Sequence, residues 1–343
     1  MNSDDEELKK CIEIVRTDYK RYFWTVYITL GFKDFLENNL ESCRFVFVEK
    51  VLNIINNNKV ANPDFILQYN NNQNGILCEI KSSVTYDDKK LKDKLYPQLE
   101  KYCKDMIGWD TPNNKINNHD LLCIFNAIDV TRVKNLIIDS INKGELNINK
   151  NLCMAEYSEM ISPKYGNNDI ILVKYEYGNL GCKELEEQLK NNLEFPIDEL
   201  SLMYDRIKFT RNKPPIQYLM ELLWFFIFRI FTDGKEVNEV EVTLEQLLVQ
   251  VYNYYIPWSK IEGEYSQVRK TWIKEAMDMF VKIELAEILT DNPFKYKIYI
   301  GKTGLPNNMR EYIFEKTCEL DLKIDEKKKI DEKQTKINNY NKK

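Results

Sequence analysis

Asn62-Pro63-Asp64-Phe65-Ile66-Leu67, followed by Ile76-Leu77-Cys78-Glu79-Ile80-Lys81, constrains this chain more than any other stretch. Phe65-Ile66-Leu67 and Ile76-Leu77-Cys78 are short apolar runs of the kind a buried sheet needs. Between them lies Tyr69-Asn70-Asn71-Asn72-Gln73-Asn74-Gly75, polar and turn-rich, which reads as a hairpin loop. Side chains alternate faces along a strand, so Glu79 and Lys81 share one face and Ile80 points into the core. The hairpin is expected to bring Asp64 beside that pair, gathering two carboxylates and an ammonium at one sheet edge.

Such a set suits metal-dependent cleavage of a phosphodiester. Mg²⁺ takes oxygen ligands, keeps several waters, and needs only one or two protein carboxylates. It polarises the phosphate and makes water a better nucleophile. A neighbouring lysine orients that water or stabilises the charge that develops at phosphorus. The bland alternative is a strand pair whose charged residues merely face solvent.

Pro63-Asp64 with Glu79-Ile80-Lys81 resembles the PD-(D/E)xK motif of the restriction-endonuclease-like nuclease superfamily, with no departure from the pattern. The resemblance implies an α/β fold whose core is a mixed central sheet flanked by helices. It also implies that Asp64 and Glu79 hold Mg²⁺ (Mn²⁺ substituting) and that Lys81 assists the nucleophile. Gln98-Leu99-Glu100-Lys101-Tyr102 is similar to the Gln-x-x-x-Tyr element of RecB-like branches of that superfamily. There it lies on a helix near the site and helps hold nucleic acid, which makes Gln98 a candidate catalytic residue and Tyr102 a candidate nucleic-acid contact. Leu91, Leu95, Leu99, Tyr102 and Met106 recur at helical spacing across 88–107, with Pro97 interrupting or restarting the helix. The alternative for Gln98 and Tyr102 is an ordinary helix residue and a core aromatic.

The superfamily often adds an acid from a preceding helix, and residues 40–56 read as that helix. Glu49 is the candidate, because a carboxylate amid Phe45-Val46-Phe47-Val48 and Val51-Leu52 is costly unless paired or metal-bound. Glu41 is the rival, with the helix dipole as its bland explanation.

The net charge of −5 argues against a protein that coats nucleic acid non-specifically, though not against a nuclease with local basic patches. Eight scattered cysteines without a Cys-x-x-Cys pair imply a reducing compartment, no disulfide framework and no iron–sulfur ligation. With one histidine, His119, multi-histidine zinc sites and histidine-based nuclease sites are excluded; the residue is expected on a surface loop. No apolar run reaches the length of a membrane span, and Met1-Asn2-Ser3-Asp4-Asp5-Glu6-Glu7 does not read as a signal peptide. The expectation is a cytoplasmic protein with no membrane partner.

At 343 residues, two domains are the prior. Residues 1–177 read as the nuclease domain, with a helix over 8–35, a buried strand at 121–127, an amphipathic helix over 130–142 and a strand at 170–175. Residues 178–214 read as a connector, including a charged, exposed helix over 182–192. Arg206, Lys208, Arg211 and Lys213, interleaved with Phe209, are candidate phosphate contacts, or else a solvated linker. Residues 215–300 read as three helices followed by a hairpin. The first helix, 216–231, is too short to span a bilayer; the second begins at Thr243 as N-cap; the third covers 266–284. This order resembles a winged helix, which implies Gln267, Arg269, Lys270 and Lys274 on a recognition helix, with Lys295 and Lys297 on the wing. Residues 301–343 read as one more helix, 309–320, and a solvated polar tail.

The expected function is that of a Mg²⁺-dependent DNA endonuclease, in phage defence, restriction or DNA transposition. The transposition reading rests on a domain order similar to the endonuclease subunit of heteromeric transposases. A homodimer or protein partner is expected, since cutting both strands of a duplex commonly needs two sites. The alternatives are a non-catalytic DNA-binding or adaptor protein on a nuclease scaffold, or an RNA-directed nuclease.

Overall fold

The computed structural model describes residues 3–48, 51–56, 58–166, 168–197, 213–232, 237–253, 263–302 and 309–340. The chain divides into two units, Phe23–Arg211, and Met1–Tyr22 with Asn212–Lys343. A long helix α1 (Ser3–Asn39) contributes to both.

In the first unit, α1 is followed by strands β1 (Cys43–Val48), β2 (Leu52–Ile54) and β3 (Val60–Ala61). The helix expected over 40–56 is therefore not formed. Phe45-Val46-Phe47-Val48 alternates aromatic and β-branched residues, and tertiary pairing with the next strand favours the extended form. Next come β4 (Phe65–Tyr69) and β5 (Asn74–Lys81), antiparallel, with Phe65 opposite Cys78 and Leu67 opposite Ile76. Asn70, Asn71 and Asn72 close this hairpin with φ of 52°, 51° and 66°. Asparagine tolerates that left-handed region better than other residues with a side chain.

The unit continues with α2 (Asp88–Tyr102), β6 (Met106–Ile107), β7 (Asn118–Asn126), α3 (Ala127–Asn142), β8 (Leu152–Ser162), β9 (Asn168–Gly178), α4 (Lys183–Lys190) and β10 (Leu193–Pro196). Asp87 caps α2 by accepting from the Lys89 and Lys90 amides, and the helix runs unbroken through Pro97. Seven strands form one mixed sheet in the order β1-β4-β5-β7-β8-β9-β10. β5, β7 and β8 are mutually parallel, joined by crossovers through α2 and α3; every other neighbouring pair is antiparallel.

Helices cover both faces of this sheet. On one, Ile66, Leu77 and Cys123 pack with Leu95, Leu99 and Tyr102 of α2 and Val133 and Ile137 of α3. On the other, Phe32 of α1 lies 5.2 Å from the Phe65 ring and 5.3 Å from that of Phe195 on β10. Gly31 permits this approach, because a Cβ there would meet the Phe195 ring at 2.3 Å.

The expected exposed connector helix is instead part of this unit. Leu185 and Leu189 of α4 are fully buried, and β10 pairs with β9 at the sheet edge. The high charge of 182–192 conceals a two-residue apolar stripe, and buried Glu186 is compensated by Lys183, Lys190 and the Leu180 amide. A second polar knot lies at the start of β7. The fully buried Asp120 accepts from the Tyr69 hydroxyl, the Gly181 amide and the Asn151 side chain, each at 2.8 Å.

The second unit holds the start of α1, α5 (Ile216–Phe226) with a π-helical turn at Ile227–Phe231, β11 (Val240–Thr243), α6 (Leu244–Asn253), α7 (Gly263–Lys282), β12 (Ala286–Asp291), β13 (Phe294–Ile298) and α8 (Met309–Tyr340). Its strands form a sheet in the order β11-β13-β12. α5 is buried nearly all round, as its composition requires of a core helix. Glu221 on α5 is 8 % exposed. It accepts from Arg310 Nε and Nη2 at 3.1 and 2.8 Å and from the Tyr19 hydroxyl, tying α5, α8 and α1 together. Thr243 caps α6 in a reciprocal box: the Gln246 amide donates to Thr243 Oγ1, and the Thr243 amide to Gln246 Oε1. α8 extends to Tyr340, where a solvated tail was expected from 323 on. Lysine and glutamate are good helix formers, so a polar segment continues a helix already nucleated by its packed first turns.

Among the described residues no helix is long and apolar enough to cross a membrane.

Candidate active site

Asp64 stands just before β4, and its amide donates to the Cys78 carbonyl at 3.0 Å, continuing the hairpin ladder by one residue. Its side chain turns back across the hairpin, and Oδ2 accepts from the Ile80 amide at 2.6 Å. The first carboxylate is thereby fixed against the backbone between Glu79 and Lys81. Glu79 follows Leu77 on the face covered by α2, so its carboxylate enters an otherwise apolar layer and is only 6 % exposed. Desolvating a carboxylate costs several kcal/mol (on the order of 5) unless it is paired and hydrogen-bonded. Here both oxygens are engaged: Oε1 with Lys81 Nζ at 2.6 Å, and Oε2 with the Tyr102 hydroxyl at 2.8 Å. Gln98 Nε2 in turn donates to that hydroxyl at 3.0 Å.

Four residues from the sequence reading, Glu79, Lys81, Gln98 and Tyr102, are thus joined by side-chain hydrogen bonds, and Asp64 is held near them on the Ile80 amide, close enough to raise the Lys81 pKa. α2 supplies Gln98 and Tyr102 because positions one turn apart share a helix face. Tyr102 is 1 % exposed, so the core reading holds and the nucleic-acid contact expected of it is not open to a ligand; its hydroxyl reaches the Glu79 carboxylate instead.

Electrostatics follow from the geometry. Burial works to lower the Lys81 pKa, but the adjacent Glu79 carboxylate outweighs it, and Lys81 stays above its ordinary value and cationic. Burial, reinforced by the Glu79 charge, pushes the Tyr102 phenol far up, so it is a donor at any ordinary pH. Burial likewise raises the thiols of Cys78 and Cys123, which behave as core residues rather than nucleophiles.

The donor set fits a hard divalent cation. Each carboxylate oxygen has two lone-pair directions, so one that accepts a hydrogen bond can still ligate. Two carboxylates with waters suffice for Mg²⁺ or Mn²⁺. Among the described residues no group of three or more His, Cys, Asp or Glu side chains could hold a metal, so a site for a protein-saturated ion such as structural zinc is not found there.

The other candidates fall elsewhere. Glu49, Arg206, Lys208 and Arg211 lie outside the described residues. Glu41 sits exposed in a bend before β1, not on a helix. Gln267 and Arg269 lie on α7. The five candidate lysines described in the second unit carry carboxylate partners: Lys213 with Glu275, Lys270 with Glu245, Lys274 with Asp278, Lys295 with Glu241 and Lys297 with Glu239.

His119 is not the surface residue expected from its polar neighbours. It lies in β7, 2 % exposed, with Nε2 2.6 Å from the Tyr102 carbonyl. Burial lowers its pKa, so the neutral ring donates to that carbonyl and holds the end of α2. The run Asn113–Asn118 concealed it: the parallel strand starts at Asn118, before the apolar residues that announce it. On the far side of α2, Lys59, Lys101, Lys104, Cys103 and Asn149 line a half-open cavity of about 350 Å³. None of its lining residues belongs to the carboxylate cluster.

Comparison with known proteins gives no matching family model, no matching curated protein and no matching solved structure.

Proposed function

We propose that the first unit is a Mg²⁺-dependent nuclease of the PD-(D/E)xK kind, hydrolysing phosphodiester bonds in DNA. The observation that carries this reading is that Asp64, fixed on the Ile80 amide, stands at the same open end of the β4–β5 hairpin as the Glu79–Lys81 ion pair. The mixed sheet with helices on both faces, and Gln98 and Tyr102 arriving from α2, support the same reading.

Asp64 and Glu79 would hold the cation, which supplies Lewis acidity at the scissile phosphate. Asp64 is oriented by the Ile80 amide and Glu79 by Tyr102, so both carboxylates are set before substrate arrives, and little reorganisation is spent at reaction. Lys81 remains an ammonium beside them. It donates to the attacking water or to a phosphate oxygen and stabilises the charge developing there. Gln98 keeps the Tyr102 hydroxyl aimed at Glu79.

For the second unit, the order helix, strand, helix, helix and two-stranded hairpin supports a winged-helix-like module that positions DNA or a protein partner. Its lysines are ion-paired at the surface, and such pairs are worth under about 1 kcal/mol. Exchange for phosphate contacts is therefore cheap, and the module suits weak, salt-sensitive DNA contact. Cytoplasmic phage defence, restriction or transposition are the settings proposed for such an enzyme, acting as a dimer or with a partner.

The test is incubation with plasmid, linear duplex, single-stranded DNA and RNA, in Mg²⁺ or in chelator. Cutting that needs Mg²⁺ and disappears in Asp64→Ala and Lys81→Ala is expected. Cutting that persists in both variants would remove the proposed site, and no cutting of any substrate would favour a DNA-binding adaptor.

A further inference from the structure

Two of the most exposed large apolar side chains in the sheet unit lie on the segments that follow the strand ends β5 and β7. Tyr86 is 79 % exposed and Ile128 81 %. The chain runs directly from Lys81 into the segment that carries Tyr86. Ile128 opens α3, just after Phe125, the residue paired with Lys81 across the parallel ladder. Both therefore follow the C-terminal ends of the adjacent interior strands β5 and β7, the end of the sheet at which Lys81 stands.

They are also held in place. Arg132, one turn after Ile128 on the same face of α3, sets its guanidinium 5.4 Å from the Tyr86 ring centroid. Its Nη2 donates to the Thr85 carbonyl and its Nη1 to Asp88, each at 2.7 Å. Buried Asp129 accepts from the Val84 amide at 3.2 Å, and Asn126 Oδ1 accepts from the Ile128 amide at 3.0 Å. The β5–α2 segment is thus clamped to the first turn of α3. One face of the Tyr86 ring rests on a cation and the rest stands in solvent. A tyrosine 79 % exposed and held through Arg132, the residue one turn after the equally exposed Ile128, buries little surface within the unit.

We propose that Tyr86 and Ile128 form a stacking platform for unpaired nucleobases of the substrate strand as it leaves the site. The inference rests on the nuclease reading and narrows its substrate class. Every base presents a π-face, so an aromatic ring binds single strands with little regard to sequence. Arg132 holds the other face of the ring, and because its charge is shared with Asp88 and Asp129 the platform recognises bases rather than phosphates. A continuous duplex keeps its base faces internally stacked and offers nothing to this platform. The substrate is therefore a single strand, a flap or a frayed end.

The test is fluorescence anisotropy with full-length protein in chelator, so that no cutting occurs. The probes are a short labelled single strand, the same length made abasic, and the corresponding duplex. The base-bearing single strand is expected to bind more tightly than either of the others. Tyr86→Ala should weaken it about tenfold or more while leaving the abasic strand unchanged. Tyr86→Phe should bind like the parent, and Ile128→Ser should lose less than Tyr86→Ala. Equal binding of base-bearing and abasic strands, a loss in Tyr86→Ala that is the same for both, or no binding of any probe would overturn the platform. The two readings fail separately: base-dependent binding without Mg²⁺-dependent cleavage sinks the enzyme and keeps the platform, whereas cleavage with base-independent binding does the reverse.

Discussion

Replacing Tyr102 by Phe removes one oxygen from the candidate site and nothing else of the same size. The ring stays packed in the layer beneath α2, where it is 1 % exposed. Lost are the 2.8 Å hydrogen bond to Glu79 Oε2 and the acceptor for Gln98 Nε2. A hydrogen bond to a charged group contributes about 1.5–3 kcal/mol, with the upper end appropriate where the carboxylate stays buried. For a unit of this size each kcal/mol is worth roughly 2–4 °C of melting temperature. Tyr102→Phe should therefore melt roughly 3–12 °C below the parent in chelator. The same hydroxyl orients a proposed metal ligand, so Mn²⁺ affinity should also fall about 10- to 100-fold. Thermal melts and calorimetric Mn²⁺ titration on the two proteins read both effects. A variant that melts and binds Mn²⁺ like the parent would refute the argument that Tyr102 holds Glu79 for a metal.

Three further predictions follow from single features. Burial holds the His119 pKa below that of a free imidazole, so below about pH 6.5 the unfolded chain takes up a proton that the folded one resists. Stability should fall on acidification through that window until the folded ring itself titrates, and His119→Gln should show a shallower fall in melts between neutral and mildly acid pH. Glu221→Ala removes the buried carboxylate that Arg310 and the Tyr19 hydroxyl share and should cost about 3 kcal/mol in denaturant unfolding; a change within error would show that the network is not a structural tie. Gly31→Ala places a Cβ against the Phe195 ring and should destabilise by about 1–3 kcal/mol, less the roughly 0.5–1 kcal/mol that alanine restores to a helix; a net gain in stability would mean that α1 does not approach β10 this closely.

The hairpin and its three charged residues were legible because a period-two pattern fixes which side chains share a face, and the Asn-rich turn fixes the register. Gln98 and Tyr102 stood out only through their resemblance to the Gln-x-x-x-Tyr element, helical spacing marking Tyr102 alone as part of an apolar stripe. Residues 43–48 were misread because a short aromatic and β-branched run carries no period that separates helix from strand until a neighbouring strand claims it. α4 and β10 were hidden by charge, since a short amphipathic helix needs only Leu185 and Leu189 to dock. His119 was hidden by its polar neighbours. Tyr86 and Ile128 gave no signal at all: exposure of an apolar residue belongs to the fold, and no local pattern marks it.

Calorimetric titration of Mn²⁺ into the parent, Asp64→Ala, Glu79→Gln and Lys81→Met proteins probes the heart of this account. One site is expected in the parent, lost or greatly weakened in the two carboxylate variants and retained in Lys81→Met, whose missing charge serves chemistry rather than binding. Identical titrations for all four proteins would contradict it.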